Sequence, residues 1–313
     1  MFKIVSKLRD TMERYKGKDI LSFSDRFNSD ETCYDYLSDM KWGTGYSCSR
    51  CNHKEYYIGR KWYYRRCTKC NYDESATSGT MFHNLKFPIK KAFHILFRLS
   101  TSKKGLSTIE LGREYALQQK TCWLFKRKAQ EAMKSSGNNL LEGVVQVDEF
   151  VIGGSEEDKQ GRSDGKKRKV IVAVELIKVG DKDKIGRAYA EIIEDYSEES
   201  IRPFIEKYIQ KGAIIETDGF STYKAMKKDY KIEQYYSEKG RAFPELHFHI
   251  MNIQGWLRGI HHHCSGEYLQ KYLDEFHFRF NRRNSLNSIF NSIISGFMLA
   301  LPLTLNAIRE YNT

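Results

Sequence analysis

The amino-acid sequence predicts a multidomain α/β protein, and three features of the sequence support this fold class. Four strand-like segments lie between residues 143 and 220, with a helix-like segment between the third and the fourth, as in a mixed sheet. Two Cys-x-x-Cys pairs precede this region. A basic segment of the form helix, break, helix lies between the cysteines and the strands.

The composition indicates a folded protein with a polyanionic partner. The chain has 313 residues and 13% aromatic residues, enough for two or three domains with sizeable cores. Its 52 Lys and Arg residues outnumber its 40 Asp and Glu residues, which gives a net charge of +12. The excess is concentrated between Lys86 and Lys134. This bias favours nucleic acid over a membrane surface as the partner.

Two segments bear on the location of the protein. The N-terminal sequence "MFKIVSKLRD" is charged from its third residue and has no signal-peptide core. Residues 284–308 carry no charge, but asparagines, serines and a proline interrupt them, and a membrane span needs about 20 mostly apolar residues. We therefore predict a buried helix there, no membrane contact and a cytoplasmic, nucleoid-associated protein.

Changes in composition along the chain predict five regions. They are a helical lead-in (1–40), a zinc ribbon (41–82), a helix-turn-helix-like DNA-binding region (83–136), an α/β domain (140–283) and a C-terminal helical segment (284–313). The Gly/Asn-rich stretch "SSGNNLLEG" marks the boundary before the α/β domain.

The cysteine spacing predicts a structural zinc site. Two knuckles are separated by 15 residues that alternate as a β-hairpin does, and their ligands are Cys48, Cys51, Cys67 and Cys70. Four thiolates close the coordination shell, so we expect a structural zinc ion and not a catalytic one. Cys33, Cys122 and Cys264 follow no such pattern, and we interpret them as ordinary buried thiols.

The basic segment "LSTIELGREYALQQKTCWLFKRKAQEAM" predicts a helix-turn-helix. Ser107 is the expected N-cap of the first helix and Thr121 of the second. The second helix carries three consecutive basic residues, Lys126, Arg127 and Lys128, which we expect to contact DNA. An ordinary helical hairpin with a solvated basic face is the alternative.

Two aspartates end strand-like segments and predict a metal site. Asp148 lies in "VVQVDEFVIGG" and Asp218 in "AIIETDGF". If the strands end at one edge of a sheet, a Mg²⁺ ion between the carboxylates removes their repulsion and can activate an oxygen for attack on a phosphodiester. Glu149 points to the opposite face by alternation, so we expect a structural role for it. Glu216 shares the face of Asp218 and is a weaker candidate acid.

These motifs together resemble those of a known family. Zinc ribbon, helix-turn-helix, "VDEFVIGG", "ETDGFSTY", "NIQGWLRGIHHH" and "YLDEFHFRFNRR" follow one another as in transposases of the IS1595 insertion-sequence type with an ISXO2-like catalytic domain. The resemblance covers the chain from about residue 30. It implies a ribonuclease H-like catalytic fold, DDE-type strand cleavage and strand transfer with Mg²⁺ or Mn²⁺, and recognition of terminal inverted repeats in double-stranded DNA. We expect the protein to act as a homo-oligomer on DNA.

The resemblance also assigns roles to residues. It implies that Asp148 and Asp218 are metal ligands and that Asn252, 34 positions later, stands where most DDE enzymes have Glu. Glu245 is the second choice for the third ligand. Relatives commonly have Lys where this chain has Gln254, which leaves Arg258 as the nearest basic residue that could contact DNA. A further basic group is expected at the DNA backbone, with neutralisation of a helix end as the alternative: Arg279, Arg282 and Arg283.

Two other functions fit parts of the sequence. A non-catalytic zinc-ribbon regulator, derived from a domesticated transposase, would bind DNA without cutting it. The "HFH" motif at His247 and His249 also occurs in nucleases that use a tyrosine nucleophile, and Tyr268 and Tyr272 follow it. A covalent phosphotyrosine adduct distinguishes that chemistry from DDE chemistry.

Overall fold

The computed structural model describes residues 14–17, 19–135, 137–153, 167–236, 242–260, 266–304 and 307. The chain forms two compact units, Met1–Ala132 with Ser285–Thr313, and Met133–Asn284. In the described ranges, no helix combines the length and the hydropathy that crossing a bilayer requires. Cys264 and the histidines at 261–263 lie outside the described residues.

The described residues of the first unit form a three-stranded ribbon and six helices. The ribbon strands are β1 (Tyr56–Ile58), β2 (Tyr64–Cys67) and β3 (Asp73–Ser75), and each pairs antiparallel with the next. The helices, numbered in chain order, are α1 (Ile20–Arg26), α2 (Asp30–Trp42), α3 (Ile89–Thr101), α4 (Thr108–Tyr115), α5 (Gln119–Ala132) and α10 (Leu286–Leu299).

Helix α10 is buried in the first unit, as the uncharged C-terminal segment predicted. Its buried face is Ile289, Phe290, Ile293, Ile294 and Phe297. The Asn291 amide donates to the carbonyl oxygen of Tyr15 and accepts from the Tyr36 hydroxyl, at 2.6 Å each. The sequence of this helix predicts its burial but not its partners, which come from the opposite end of the chain.

Helices α4 and α5 form a hairpin with a tight turn. The Ser107 side chain accepts from the backbone N–H of Glu110 at 3.1 Å, which confirms it as the N-cap of α4. The turn passes through Ala116, with φ 48° and ψ 57°, and a Cβ at Gly112 would lie 2.9 Å from the carbonyl oxygen of Leu117. The N-cap assigned to Thr121 is wrong, because α5 begins at Gln119 and Thr121 lies inside its first turn.

The second unit is built on a five-stranded mixed sheet. Its strands are β4 (Val144–Ile152), β5 (Arg168–Val179), β6 (Lys182–Ile193), β7 (Ile214–Asp218) and β8 (Lys231–Tyr235), in the spatial order β6-β5-β4-β7-β8. Strand β5 is antiparallel to β4 and β6, whereas β4, β7 and β8 run parallel. Counted within the unit, the order is 3-2-1-4-5, the mixed α/β arrangement of the predicted ribonuclease H-like fold.

Helices cover both faces of this sheet. Helices α6 (Glu198–Tyr208) and α7 (Ser221–Met226) pack on one face against Val145, Val147 and Ile215. Helices α8 (Pro244–Ile260) and α9 (Leu269–Phe280) pack on the other face, mainly against β5 and β6. Alternation along β4 therefore directs Gln146, Asp148 and Phe150 towards the face that carries α8 and α9.

Candidate active site and metal centre

The two aspartates lie side by side on adjacent parallel strands. Gln146 of β4 is in register with Glu216 of β7, and their side chains form a hydrogen bond of 2.9 Å. Two residues further along both strands, the same register places Asp148 opposite Asp218 on the same face of the sheet. The strands thus place on one face of the sheet the two carboxylates that the sequence predicts as metal ligands.

Backbone N–H groups fix the orientation of both carboxylates. The N–H of Glu149 donates to Asp148 Oδ1 at 2.8 Å, and the N–H of Phe220 donates to Asp218 Oδ1 at 3.0 Å. Both aspartates are half-buried, at the end of the sheet where β7 stops. Two oriented carboxylates at a partly solvated edge match the oxygen donors that Mg²⁺ prefers.

Glu149 belongs to the opposite face, as alternation predicted. The hydroxyl of Tyr223, on α7, donates a hydrogen bond to Glu149 Oε1. Tyr223 is fully buried among the side chains beneath α6 and α7. Its burial, followed by the charge of Glu149, raises its pKa far above the usual value, so the tyrosine stays a donor. Glu149 is therefore a structural acid that anchors α7 to β4.

Helix α8 brings a histidine, and not the predicted asparagine, to Asp148. His247 Nδ1 lies 3.9 Å from Asp148 Oδ2. Asn252 is five residues further along, which turns its side chain about 140° away from that of His247 around the helix axis. Asn252 is exposed, and Glu245 lies within about 20° of it on the same flank. Burial lowers the pKa of His247, so its ring is neutral at pH 7.

Contacts with α9 identify the flank that carries Asn252. Trp256 packs on Phe276 of α9 with ring centroids 5.6 Å apart, and His249 packs on Phe280 at 4.5 Å. Asn252 precedes Trp256 by four residues, so both lie on the flank that faces α9. His247 and Gln254 lie on the other flank, towards Asp148. Which residue of α8 faces the two carboxylates therefore depends on the rotation of the helix about its axis. The sequence alone does not specify this rotation.

The two histidines of the "HFH" motif do not form one site. His249 is buried, and its Nε2 lies 3.2 Å from Nε2 of the buried His277. His277 Nδ1 donates to the carbonyl oxygen of Leu273 at 2.7 Å, so its Nε2 accepts from His249. His247 points to the carboxylates instead. The tyrosine-nuclease alternative is wrong in its central feature, because the paired histidines must hold one metal together.

The four cysteines of the ribbon form a compact group that fits zinc. Their sulfur atoms all lie within 4.8 Å of one another, and the Cys48–Cys70 and Cys51–Cys67 pairs are 3.6 Å apart. Sulfur atoms bound to one tetrahedral zinc ion lie roughly 3.8 Å apart, given Zn–S bonds of about 2.3 Å. Among the described residues, this is the group of three or more Cys, His or acidic ligands that is tight enough to hold an ion. The aspartate site is more open.

The two knuckles have the same backbone conformation. Asn52 and Asn71 directly follow the second cysteine of each knuckle and adopt the left-handed conformation, with φ of 59° and 57°. Their N–H groups donate to the carbonyl oxygens of Cys48 and Cys67. Burial raises the pKa of Cys48, but backbone N–H groups of Arg50 and Cys51 outweigh it and bring the pKa to about 6, which favours the thiolate. Cys33 and Cys122 are buried, as predicted.

Comparisons with known proteins agree with this geometry. A family model described as an ISXO2-like transposase domain matches residues 140–281, which include both aspartates and α8. A second one, described as a transposase zinc-ribbon domain, matches residues 28–73, and together the two cover more than half of the chain. The chain belongs to the IS1595 family of transposases.

Solved structures of Mos1 transposase complexes are also similar to this transposase. A pre-cleavage Mos1 transpososome shares 12% sequence identity, covers 70% of this chain and 78% of that chain, and has a TM-score of 0.26. A Mos1 mariner paired-end complex with Mn shares 13%, covers 66% and 78%, and has a TM-score of 0.27. A comparison with curated proteins found no match.

The basic triplet on α5 of the transposase lies inside the first unit, contrary to prediction. Lys126, Arg127 and Lys128 are 4%, 5% and 9% exposed. Lys126 Nζ donates to the carbonyl oxygen of Leu106 at 2.8 Å, and Lys128 Nζ to that of Met81 at 3.0 Å. Arg127 donates to Gln130 and stacks on the Trp123 ring. Their charged groups stabilise the helix packing, and DNA cannot reach them in this conformation.

The three arginines near the C-terminal end of the catalytic domain also form their contacts within the protein. Arg283 donates to the carbonyl oxygens of Gly186 and Ile185, and Arg282 donates to that of Phe278 and stacks on its ring at 3.9 Å. Arg279 lies 3.5 Å from the fully buried Glu275. The structure therefore favours a structural role for these three residues over the predicted contact with DNA. Arg258 on α8, by contrast, is exposed.

Loss of the Lys126 ammonium group should affect stability. In Lys126→Ala the carbonyl oxygen of Leu106 loses a buried donor, and we expect the free energy of unfolding to fall by about 1–3 kcal/mol. Lys120→Ala, an exposed lysine on the same helix, should change it by less than about 0.5 kcal/mol. Chemical denaturation measures both. A Lys126→Ala variant of normal stability that no longer binds DNA would restore the original prediction.

Proposed function

We propose that this transposase cuts the ends of its own insertion sequence and joins them to target DNA in a reaction that depends on Mg²⁺ or Mn²⁺. The observation that carries the proposal is the placement of Asp148 and Asp218 at the same level and on the same face of adjacent parallel strands. Two carboxylates that share one face and one edge of a sheet repel each other, and a cation between them removes that cost. The site is half-buried, so a phosphodiester can reach it from solvent.

The residues of the site prepare it for this reaction. A divalent cation supplies a Lewis acid there, which activates a water molecule or a 3′-hydroxyl for in-line attack on phosphorus. Asp148 and Asp218 would hold the cation, and the N–H groups of Glu149 and Phe220 keep one oxygen of each carboxylate in place. Asn252 remains the third ligand that the resemblance implies, although it lies on the α9 flank of its helix.

We assign DNA binding to exposed basic residues. The region from Lys86 to Lys134 has six solvent-exposed cations: Lys86, Lys103, Lys104, Arg113, Lys120 and Lys134. Lys120 lies in the first turn of α5, where a recognition helix contacts bases. Arg258 offers a further cation on α8. The proposed ligand is double-stranded DNA with the terminal inverted repeats, bound by a homo-oligomer that holds two ends in the nucleoid.

Neutralising the exposed cations should weaken DNA binding. We expect Lys104→Ala, Arg113→Ala and Lys120→Ala combined to lower the slope of log K against log salt by about 3, because three phosphate contacts disappear. Fluorescence anisotropy with a labelled element-end duplex measures the slope. The matched control combines Lys178→Ala, Lys182→Ala and Lys184→Ala on the β5–β6 hairpin, which are also exposed. An equal decrease of the slope in both variants would show that the total charge, and not a particular surface, determines DNA binding.

A strand-transfer assay tests the proposed function as a whole. Purified protein is mixed with a labelled duplex that ends at the 3′-terminus of the element, a supercoiled plasmid and Mg²⁺ or Mn²⁺. We expect label to become covalently joined to the plasmid, and no joining in EDTA. Binding of the duplex without joining in either metal would favour the regulator alternative.

A further inference from the structure

Gln146 and Glu216 directly precede the two aspartates but have no role in the function derived so far. Gln146 Nε2 donates to Glu216 Oε2 at 2.9 Å, and Asp148 and Asp218 follow two residues later on the same strands and the same face. We propose that Gln146 and Glu216 are a positioning pair that sets the separation of the two aspartates. This inference rests on the proposed function, because it concerns the carboxylates that would hold the cation.

The pair lies at the row where the pairing of β4 with β7 ends. Residues 144–146 of β4 are in register with residues 214–216 of β7, and Gln146 and Glu216 form the last of these pairs. Beyond this row, β4 continues beside β5 and β7 continues beside β8. The side-chain hydrogen bond therefore ties the two strands together at the last paired row before the aspartates.

The buried amide of Gln146 is held in one orientation at a cost in stability. Gln146 is 6% exposed. A carboxylate only accepts hydrogen bonds, so the amide nitrogen has to face Glu216 and the amide oxygen has to face away from it. Among the described residues, no donor reaches this buried oxygen, Oε1. An unpaired buried acceptor is destabilising, so this pair is not the arrangement that maximises stability.

A second acid on β8 favours the contact of Glu216 with β4. Glu216 is in register with Glu233, whose Oε2 accepts from the hydroxyl of Tyr235 at 2.8 Å. Two carboxylates opposite each other on adjacent strands repel, which directs the Glu216 carboxylate towards Gln146. The hydrogen bond to Gln146 then attracts β7 towards β4. Its loss should let the two strands separate at the level of the aspartates.

Two kinds of substitution separate positioning from stability and from charge. Gln146→Leu combined with Glu216→Leu removes the hydrogen bond and leaves no unpaired polar atom of the pair. Replacing both partners of a buried hydrogen bond with apolar groups of similar shape is nearly neutral or stabilising, so this double variant should be at least as stable as the unsubstituted protein. Glu216→Gln removes the charge but keeps an acceptor for the amide of Gln146.

Mn²⁺ titration of the full-length, zinc-loaded protein with element-end DNA tests the positioning role. The electron paramagnetic resonance signal of free Mn²⁺ measures binding, cleavage of the labelled duplex is followed in parallel, and chemical denaturation measures stability. For the double Leu variant we expect about tenfold weaker Mn²⁺ binding and half-maximal cleavage at about tenfold higher Mn²⁺, without loss of stability. Glu216→Gln should bind Mn²⁺ within about threefold of the unsubstituted protein.

The outcomes separate this inference from the proposed function. A double Leu variant with a normal Mn²⁺ response, or one that loses stability together with Mn²⁺ binding, would overturn the positioning role. Equally weak Mn²⁺ binding by Glu216→Gln would also overturn it, because the charge and not the hydrogen bond would then matter. Asp148→Ala tests the site itself and should abolish this Mn²⁺ binding. If Asp148→Ala binds Mn²⁺ normally, the proposed function fails as well.

Discussion

Asp148→Ala and Asp218→Ala should each lower the rate of strand cleavage and joining by at least about a thousandfold. Each substitution removes an anionic ligand from a site whose cation stabilises the transition state by several kcal/mol. Binding of element-end DNA should be unchanged, since neither side chain lies on the basic surface. Both rates can be measured with labelled oligonucleotides under single-turnover conditions.

Asp183→Ala is the matched control for the loss of one carboxylate. Asp183 lies on the β5–β6 hairpin and forms an exposed ion pair with Lys178 at 2.8 Å, so its removal should leave cleavage within about twofold. Equal losses in Asp183→Ala and Asp148→Ala would point to general misfolding. Substantial cleavage by Asp148→Ala in Mg²⁺ would remove the aspartate from the mechanism.

Cys48→Ser and Cys67→Ser should each release zinc and unfold the ribbon. Both side chains are fully buried, and they contribute one sulfur each to the two close pairs of the cluster. Metal binding and folding are coupled in such small domains, because the hydrophobic cluster around the cysteines is limited to a few aromatic side chains. Metal analysis should find about one tightly bound zinc ion per unsubstituted chain and much less in either variant.

Cys33→Ala separates loss of zinc from loss of a buried thiol. Cys33 is fully buried on α2, outside the cluster, and burial raises its pKa to about 12. Its substitution should reduce stability without changing the zinc content. A chain that contains no zinc before any substitution would contradict the role of the cluster.

Local patterns in the sequence predicted several features correctly. The spacing of the knuckles predicted the four-cysteine cluster, since two residues between cysteines fix the geometry of each turn. Alternation along β4 separated Asp148 from Glu149, because successive side chains of a strand point to opposite faces. The interrupted apolar pattern after residue 284 predicted a buried helix, and α10 is one.

Other features depend on tertiary packing that local patterns do not encode. A run of three basic residues on α5 predicted contact with DNA, yet carbonyl oxygens at Leu106 and Met81 accept hydrogen bonds from its lysines inside the unit. The "HFH" motif suggested a tyrosine nuclease, and the sequence did not show that Asp148 is the neighbour of His247. The side of α8 that faces the carboxylates is set by its contacts with the sheet and α9.

The most direct test of the central claim is cleavage of an element end by the purified protein. The substrate is a labelled duplex that spans the junction between the terminal inverted repeat and its flanking DNA, incubated with Mg²⁺, with Mn²⁺ or with EDTA. We expect a nick at the element end that leaves a 3′-hydroxyl, appears only with a divalent ion, and leaves no protein covalently attached to the DNA. Cleavage that persists in EDTA, or a covalent protein–DNA adduct, would contradict the assignment of catalysis to Asp148 and Asp218.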